Sequence, residues 1–189
     1  MKPHFMMFAA YNGWANDRLY AAARELSRGD YLADHGAFFG SLNGTLNHLL
    51  VTDRIWMRRF TGDGPVHAAL NELLTDDLAE LSALRASEDA RLTGYVGSLD
   101  EGKIAGNFTY RPITNPVEIT QPLGPALAHL FNHQTHHRGQ ATAILTRIRR
   151  PGRLPEPRSD PVPAPVRHGA RLRKIQPLAG QSRKYFGDV

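Results

Sequence analysis

The sequence predicts an all-α fold in which antiparallel helices pack as a bundle and an irregular C-terminal tail follows. Apolar residues recur at helical spacing in four long segments, and clusters of glycine, proline and polar residues separate them. The 189 residues, 41% hydrophobic and 22% charged, suffice for one globular domain. No apolar run is long enough to cross a bilayer, so we expect no association through a membrane-spanning helix.

The first two helices are predicted from their apolar spacing and their boundaries. Aromatic and aliphatic side chains recur at helical intervals over residues 3–27, and Pro3 suits a first helical turn. The sequence Arg28-Gly29-Asp30 interrupts this pattern, and a polar connector runs to about residue 40. A second helix is predicted over residues 41–60, because leucines and a tryptophan give it an apolar face.

The second half of the chain contains two further predicted helices. Leucines along one side predict a third helix over residues 68–96, with a candidate break and a fresh N-cap at Thr75-Asp76-Asp77. Residues 97–121, with glycine, proline and β-branched residues, favour a long loop or a weak hairpin. A fourth helix is predicted over residues 122–148.

The excess of positive charge lies in the tail. Residues 1–148 contain 13 Lys and Arg against 15 Asp and Glu, whereas residues 149–189 contain 10 against 3. The predicted bundle is therefore slightly acidic and lacks the extensive basic face that binds nucleic acid. We accordingly do not expect nucleic acid as a partner.

Cysteine usage and the N-terminus bear on chemistry and compartment. The sequence contains no cysteine, which excludes disulfides, thiolate metal sites and cysteine nucleophiles. Residues 1–5 lack the apolar stretch of a signal peptide, so we expect a cytoplasmic protein. Helical bundles often self-associate through exposed apolar faces, which makes a homodimer a candidate assembly. The sequence does not identify a small-molecule substrate.

Histidines carry the strongest chemical signal. Four of the nine histidines fall within nine residues, namely His129, His133, His136 and His137. His133 and His137 lie one helical turn apart, so both imidazoles can reach one cation about 2.0–2.1 Å away. A single helix rarely completes a metal site, and His48 on the second helix is the best candidate for a third ligand because leucines flank it.

Packing is the alternative interpretation of these residues. A lone histidine on an apolar face, such as His48, is more often a core residue than a ligand. His129 extends the stripe toward a packing layer or a supporting position beside the metal, and His136 points away toward solvent. Gly139 lies inside the helix and costs about 1 kcal/mol relative to alanine, which indicates a close approach of another helix.

Other polar residues could support the site. Arg138 is expected to form a salt bridge, with Asp17 and Asp53 as candidate partners. Asn12 and Asn16 are more often packing or capping residues, but buried they could line a cavity.

Three segments resemble the DinB/YfiT-like family of metal-binding proteins. Residues 129–140, HLFNHQTHHRGQ, resemble the characteristic helix of that family; residues 45–56, TLNHLLVTDRIW, resemble its second helix, and residues 11–16, YNGWAN, its opening helix. The segments occur in the family's order and cover most of residues 1–148. The resemblance implies an up-down-down-up four-helix bundle. It also implies a metal site with three ligands, which by position are His48, His133 and His137.

The resemblance also indicates a class of activity. Zinc or nickel is usual in the family, and three protein ligands leave one coordination position for water or substrate. Characterised members include thiol S-transferases and an isomerase that use a low-molecular-weight thiol. A metal-dependent transferase, isomerase or hydrolase is therefore expected, with Asn12, Asn16 and Trp56 as pocket candidates. The alternative is a non-catalytic metal-binding protein of the stress response, since the family name refers to damage-inducible expression.

The tail departs from the family pattern. Members continue after the characteristic helix with a short loop and an acidic, apolar segment, whereas residues 149–189 are rich in arginine and proline and have no helical period. One interpretation is a basic, disordered extension that binds an acidic partner. The other is a shifted reading frame in a GC-rich gene, which we favour because the change begins abruptly. We therefore divide the chain into a bundle, residues 1–148, and a tail, residues 149–189.

Overall fold

The described part of the protein is mostly helical. A computed structural model describes residues 1–112 and 117–149, and over these residues the chain forms six helices and one two-stranded sheet. The elements are α1 (Lys2–Ala23), α2 (Arg28–Leu32), α3 (Leu42–Thr61), α4 (Leu78–Ser98), α5 (Glu101–Ala105), β1 (Asn107–Tyr110), β2 (Ile119–Pro122) and α6 (Leu123–Arg149). The prediction of a mainly helical fold is confirmed. The tail after residue 149, together with its proposed boundary, lies outside the described residues.

The connection between α1 and α3 contains a short helix where the sequence predicted a polar connector. The first helix was expected to continue to residue 27, but α1 ends at Ala23. The hydroxyl of Ser27 accepts a hydrogen bond from the backbone N–H of Asp30 and caps α2. Arg28-Gly29-Asp30 therefore opens a short helix instead of breaking a long one.

The third predicted helix begins ten residues later than expected. The carboxylate of Asp77 accepts hydrogen bonds from the N–H groups of Ala79 and Glu80, which starts α4 at Leu78. The predicted break at residues 75–77 is confirmed, and the predicted helix over residues 68–77 is wrong. The side chain of Asn47 bonds the backbone of this segment at Leu74 and Thr75, which replaces the hydrogen bonds that a helix would supply.

The predicted weak hairpin is present. β1 and β2 pair antiparallel, with Asn107 opposite Pro122 and Tyr110 opposite Ile119. The short helix α5 precedes it, capped by Asp100, and was not predicted. The hairpin leads directly into α6, which begins within one residue of its predicted start.

The long helices enclose two apolar clusters separated by polar residues. α1 packs against α4 and α6, and α3 packs against the same two helices. Each helix contributes one segment to the first cluster, which includes Phe5, Trp56, Leu92 and Leu127, and another to the second, which includes Leu19, Leu46, Leu81 and Ile144. Between these segments, every long helix carries buried polar side chains: Asn12, Asn16, Asp53, Arg85, Asp89, Gln134 and Arg138.

The length and apolar character of the described helices bear on membrane insertion. Within residues 1–112 and 117–149, no helix combines the length and the apolar character that crossing a bilayer requires.

Candidate metal centre

Three histidines from two helices converge on one point. His48 lies on α3, while His133 and His137 lie one turn apart on α6. The Nε2 atom of His48 is 3.3 Å from Nε2 of His133 and 3.3 Å from Nε2 of His137. One ligand atom from each of the three rings lies within 4.8 Å of the others. The packing of α3 against α6 thus brings together the residues that the resemblance implied as ligands.

The Nδ1 atoms of two of the rings have hydrogen-bond partners that indicate which ring nitrogen carries the proton. Nδ1 of His48 is 2.8 Å from the carbonyl oxygen of Leu70, which can only accept, so Nδ1 carries the proton. Nδ1 of His137 is 2.8 Å from the side-chain oxygen of Gln140, whose amide nitrogen faces His136 at 3.1 Å. With the Gln140 oxygen toward His137 and both rings neutral, the Nε2 atoms of His48 and His137 are both acceptors.

The facing acceptors fit a metal ion. Two nitrogen lone pairs 3.3 Å apart repel each other unless a cation or a donor lies between them. Two ligands at the tetrahedral angle, each about 2.0–2.1 Å from a zinc-like ion, are separated by roughly 3.3 Å. Three neutral imidazoles are a donor set that accepts zinc, nickel, cobalt or copper. The residues present therefore suit a divalent metal of this kind.

Burial keeps the three rings neutral. Loss of solvation lowers the pKa of His48 to about 4, although its hydrogen bond to Leu70 opposes this shift. Loss of solvation also lowers the pKa of His133 and of His137. Only the neutral ring can donate a lone pair to a metal, so this environment favours the form that a ligand requires.

An open cavity of about 710 Å³ lies in front of the three Nε2 atoms. Its walls come from α3, α6 and the two connections that flank α3. The lining residues are Phe38, Phe39, Gly44, His48, Leu70, Asn71, Leu73, His133 and His137. The ring of Phe39 stacks on that of His48, with centroids 3.9 Å apart and planes inclined by 21°. A ligand in this cavity would therefore have direct access to the histidine nitrogens.

One glycine permits this arrangement. A Cβ atom on Gly44 would lie 2.2 Å from the carbonyl oxygen of Phe39, far inside van der Waals contact. Gly44 lies one turn before His48 on α3, so its missing side chain lets Phe39 approach the histidine. Phe38, Phe39 and Leu70 were not predicted as site residues. Phe38 and Phe39 lie in a connection without helical period, and Leu70 falls in the segment that was predicted as the start of the third helix.

The other predicted pocket residues lie elsewhere. Asn12 and Asn16 donate hydrogen bonds to the carboxylate of Asp89 and do not line the cavity. Trp56 also lies outside the cavity lining, and its ring is 5.3 Å from that of His129. His129 is in turn 6.3 Å from His133 by ring centroids, so it packs between the tryptophan and the candidate ligand.

Two expectations about α6 are wrong. Arg138 was expected to pair with Asp17 or Asp53, but its guanidinium donates to the side-chain oxygen of Asn12 and, at 3.2 Å, to the hydroxyl of Thr135. Gly139 was expected to mark a close helix approach, yet a Cβ atom there would meet nothing within 4 Å. Gly139 faces solvent because Arg138, its neighbour, occupies the buried side of the helix.

A charged network lies behind the candidate metal centre. The guanidinium of Arg85 is 2.8 Å from Asp53 and 3.0 Å from Asp89. Gln134, which follows the candidate ligand His133, donates from its amide to the carboxylate of Asp53 and, at 3.2 Å, to the carbonyl oxygen of Leu49. The network therefore connects both histidine-bearing helices to α4.

The network combines strong burial with opposite charges. Burial raises the pKa of Asp53 to about 6, and the neighbouring Arg85 limits this rise. Burial lowers the pKa of Arg85, but Asp53 and Asp89 outweigh that effect and raise it above its usual value. The guanidinium thus stays charged and forms ion pairs with both carboxylates.

Comparison with known proteins identifies the family. The family model described as the DinB family matches residues 1–157. The chain is similar to the protein named Protein DinB of Bacillus subtilis (strain 168), with 29% identity over 144 residues, which are 71% of this chain and 80% of that relative. The matched region contains every element described above, including the three converging histidines. This chain therefore belongs to the DinB family.

Proposed function

We propose that the protein binds one divalent metal ion, zinc or nickel, through Nε2 of His48, His133 and His137. The observation that carries this proposal is the pair of acceptor atoms on His48 and His137 that face each other at 3.3 Å. The Leu70 carbonyl excludes the opposite tautomer of His48, and the orientation of the Gln140 amide places the proton of His137 on Nδ1. The proposal includes a four-helix bundle formed by α1, α3, α4 and α6 as the domain of residues 1–148.

We further propose that the site is catalytic and acts on a small thiol, as a transferase or an isomerase. The open cavity in front of the histidines supports this, since a purely structural ion needs no access for a ligand. A bound divalent ion would lower the pKa of a thiol or a water at its open position.

The chain's own residues prepare that position. The Leu70 carbonyl and Gln140 hold protons on the outer nitrogens of His48 and His137, which turns the lone pairs toward one point. The stacked ring of Phe39 fixes the plane of His48 and shields one of its faces from water. Asn71 is the uncharged polar side chain in the cavity wall that could orient a substrate.

A non-catalytic metal-binding role is the second candidate. It is favoured by the position of the histidines on α3 and α6, since an ion held by both helices would cross-link them. That role predicts a large loss of melting temperature on metal removal and no turnover. Thiol transfer to a chromogenic electrophile, assayed before and after chelation, separates the two. Transfer that is lost on chelation and restored by metal supports the catalytic site.

Metal analysis by mass spectrometry tests the binding site itself. We expect about one zinc or nickel ion per chain in the wild type after reconstitution, and none in a folded His48→Ala/His133→Ala variant. The matched control is His4→Ala, which removes an exposed histidine on α1 that is not part of the converging group. Absence of metal from the reconstituted wild type, or full occupancy of the double variant, contradicts the proposal.

A further inference from the structure

Outside the three histidines, the described wall of the cavity is mostly apolar and carries no charged side chain. Apart from the three histidines, its lining residues are four large apolar side chains, one glycine and one amide: Phe38, Phe39, Leu70, Leu73, Gly44 and Asn71. Lysine, arginine, aspartate and glutamate are absent from the described lining. A ligand arm that carries a charge would therefore leave water without gaining an oppositely charged side chain.

Two of these apolar side chains remain exposed at the mouth. Phe38 is 85% exposed and Leu73 is 62% exposed, and they belong to the connections that precede and follow α3 in the chain. Exposed apolar groups that line the same opening indicate a surface that is covered when a ligand is present. Both side chains are therefore available to contact an apolar arm in the cavity.

Two acidic side chains close in sequence to the lining residues have partners outside the cavity. Glu72 stands between Asn71 and Leu73 in sequence, but its carboxylate contacts Nδ1 of His67 at 3.2 Å. Asp34 accepts a hydrogen bond from the N–H of Gly36 at 2.8 Å. Neither carboxylate lines the cavity, so neither sets the charge preference of the pocket.

We propose that this cavity selects thiols whose arm is uncharged and apolar, such as an aryl or alkyl group. The thiol sulfur would occupy the position next to the three Nε2 atoms. The arm would lie among Phe38, Leu70 and Leu73. The inference rests on the proposed metal site and narrows its ligand class.

Thiol binding to the cobalt-loaded protein tests the selection. The probes are benzyl mercaptan, with an apolar arm; 2-mercaptoethanol, with a small polar arm; and 3-mercaptopropionate, with an anionic arm. Binding is followed by the sulfur-to-cobalt charge-transfer absorbance. We expect benzyl mercaptan to bind roughly thirtyfold more tightly than 2-mercaptoethanol, because its ring leaves water on binding. Equal affinities, or tightest binding of 3-mercaptopropionate, would overturn the proposal.

Variants at the mouth locate the effect. Leu73→Asn is expected to reduce the preference for benzyl mercaptan about fivefold while leaving the affinity for 2-mercaptoethanol unchanged, since only the arm contacts this residue. Val66→Asn is the matched control, because Val66 is 76% exposed and does not line the cavity. An equal loss of affinity for both thiols in Leu73→Asn would indicate a structural role and overturn the assignment.

The cobalt spectrum separates this proposal from the metal site on which it rests. If the wild type forms no cobalt complex, or if His48→Ala/His133→Ala forms the same one, the metal proposal fails and this inference fails with it. If the complex forms only with the histidines present and then binds the three thiols equally, the metal site stands and the selection is wrong.

Discussion

The core contains two polar regions that lie on the same helices but differ in how their polar groups are paired. His48 and Asp53 lie on α3, and His133 and Gln134 are consecutive on α6. In the charged network, the guanidinium of Arg85 pairs with two carboxylates, so each charged group has a partner within the protein. The histidine region instead places the acceptor atoms of His48 and His137 face to face. The comparison teaches that polar groups with partners inside the protein stabilise the fold, whereas facing acceptors are prepared for a ligand.

The largest expected effect comes from removing the cation of the charged network. Arg85→Ala would leave the buried carboxylates of Asp53 and Asp89 without their cation, which typically costs about 3–5 kcal/mol of unfolding free energy. Urea unfolding measures the change. Arg28→Ala is the control, because the Arg28–Asp76 pair has 64% and 62% exposed side chains and is expected to contribute less than about 1 kcal/mol. Equal effects of the two changes would show that the network does not hold the helices together.

The same variant should respond to pH with a definite sign. Burial already raises the pKa of Asp53 to about 6, and removal of Arg85 would raise it further. A raised carboxyl pKa means that the folded state binds the proton more tightly, so stability falls as pH rises through that pKa. Relative to the wild type, Arg85→Ala should therefore recover stability between pH 7 and pH 5. A deficit that stays constant over this range would contradict a carboxylate origin.

Metal binding should stabilise the histidine region by a comparable amount. A metal at one hundred times its dissociation constant adds about 2.7 kcal/mol if it binds only the folded state. We expect zinc or nickel to raise the melting temperature of the wild type and of His4→Ala. His137→Ala should lose this response because it removes one of the converging nitrogens. Stabilisation of His137→Ala equal to that of the wild type would place the ion elsewhere.

A substitution in the cavity wall tests the histidine region separately from the charged network. Gly44→Ala would drive a methyl group into the Phe39 carbonyl, and overpacking of this kind typically costs about 1–3 kcal/mol. The shift of Phe39 away from His48 should also weaken metal binding, measured by competition with a chromogenic chelator. Unchanged stability and unchanged metal affinity together would show that the close approach at Gly44 is not required.

The smallest expected effect has the opposite sign and involves neither region. Gly139→Ala adds a methyl group to the exposed side of α6, where nothing lies within 4 Å. Alanine is favoured over glycine inside a helix by about 0.5–1 kcal/mol, so the variant should be slightly more stable. Thermal unfolding measures it, and metal affinity should stay at the wild-type value. A destabilised variant would indicate that another helix approaches Gly139 closely, as expected from the sequence.

Local patterns predicted the helices and part of the site. The four-residue spacing of His133 and His137 places both rings on one face of α6 wherever that helix packs. The leucines around His48 indicated that this ring points into the core. These inferences depend only on the helical period, which is a property of neighbouring residues.

Connections and polar pairings could not be predicted in the same way. Residues 68–77 have the leucine spacing of a helix, but hydrogen bonds from Asn47 hold part of this segment in another conformation. Arg138 had two acidic candidates in the sequence, yet it bonds Asn12 on another helix. Both outcomes depend on residues distant in the chain.

The sequence by itself determined the four long helical segments and which histidines share a face, because both follow from short-range periodicity. Tertiary structure decided the rest: that His48 meets His133 and His137, that Arg85 lies between two carboxylates, and that Phe39 and Leu73 enclose a cavity. Apart from the pair of Arg85 and Asp89, which lie one turn apart on α4, these contacts join positions that are 30 or more residues apart or lie in irregular connections. Their partners are selected by how the helices pack and by which buried polar groups remain to be satisfied.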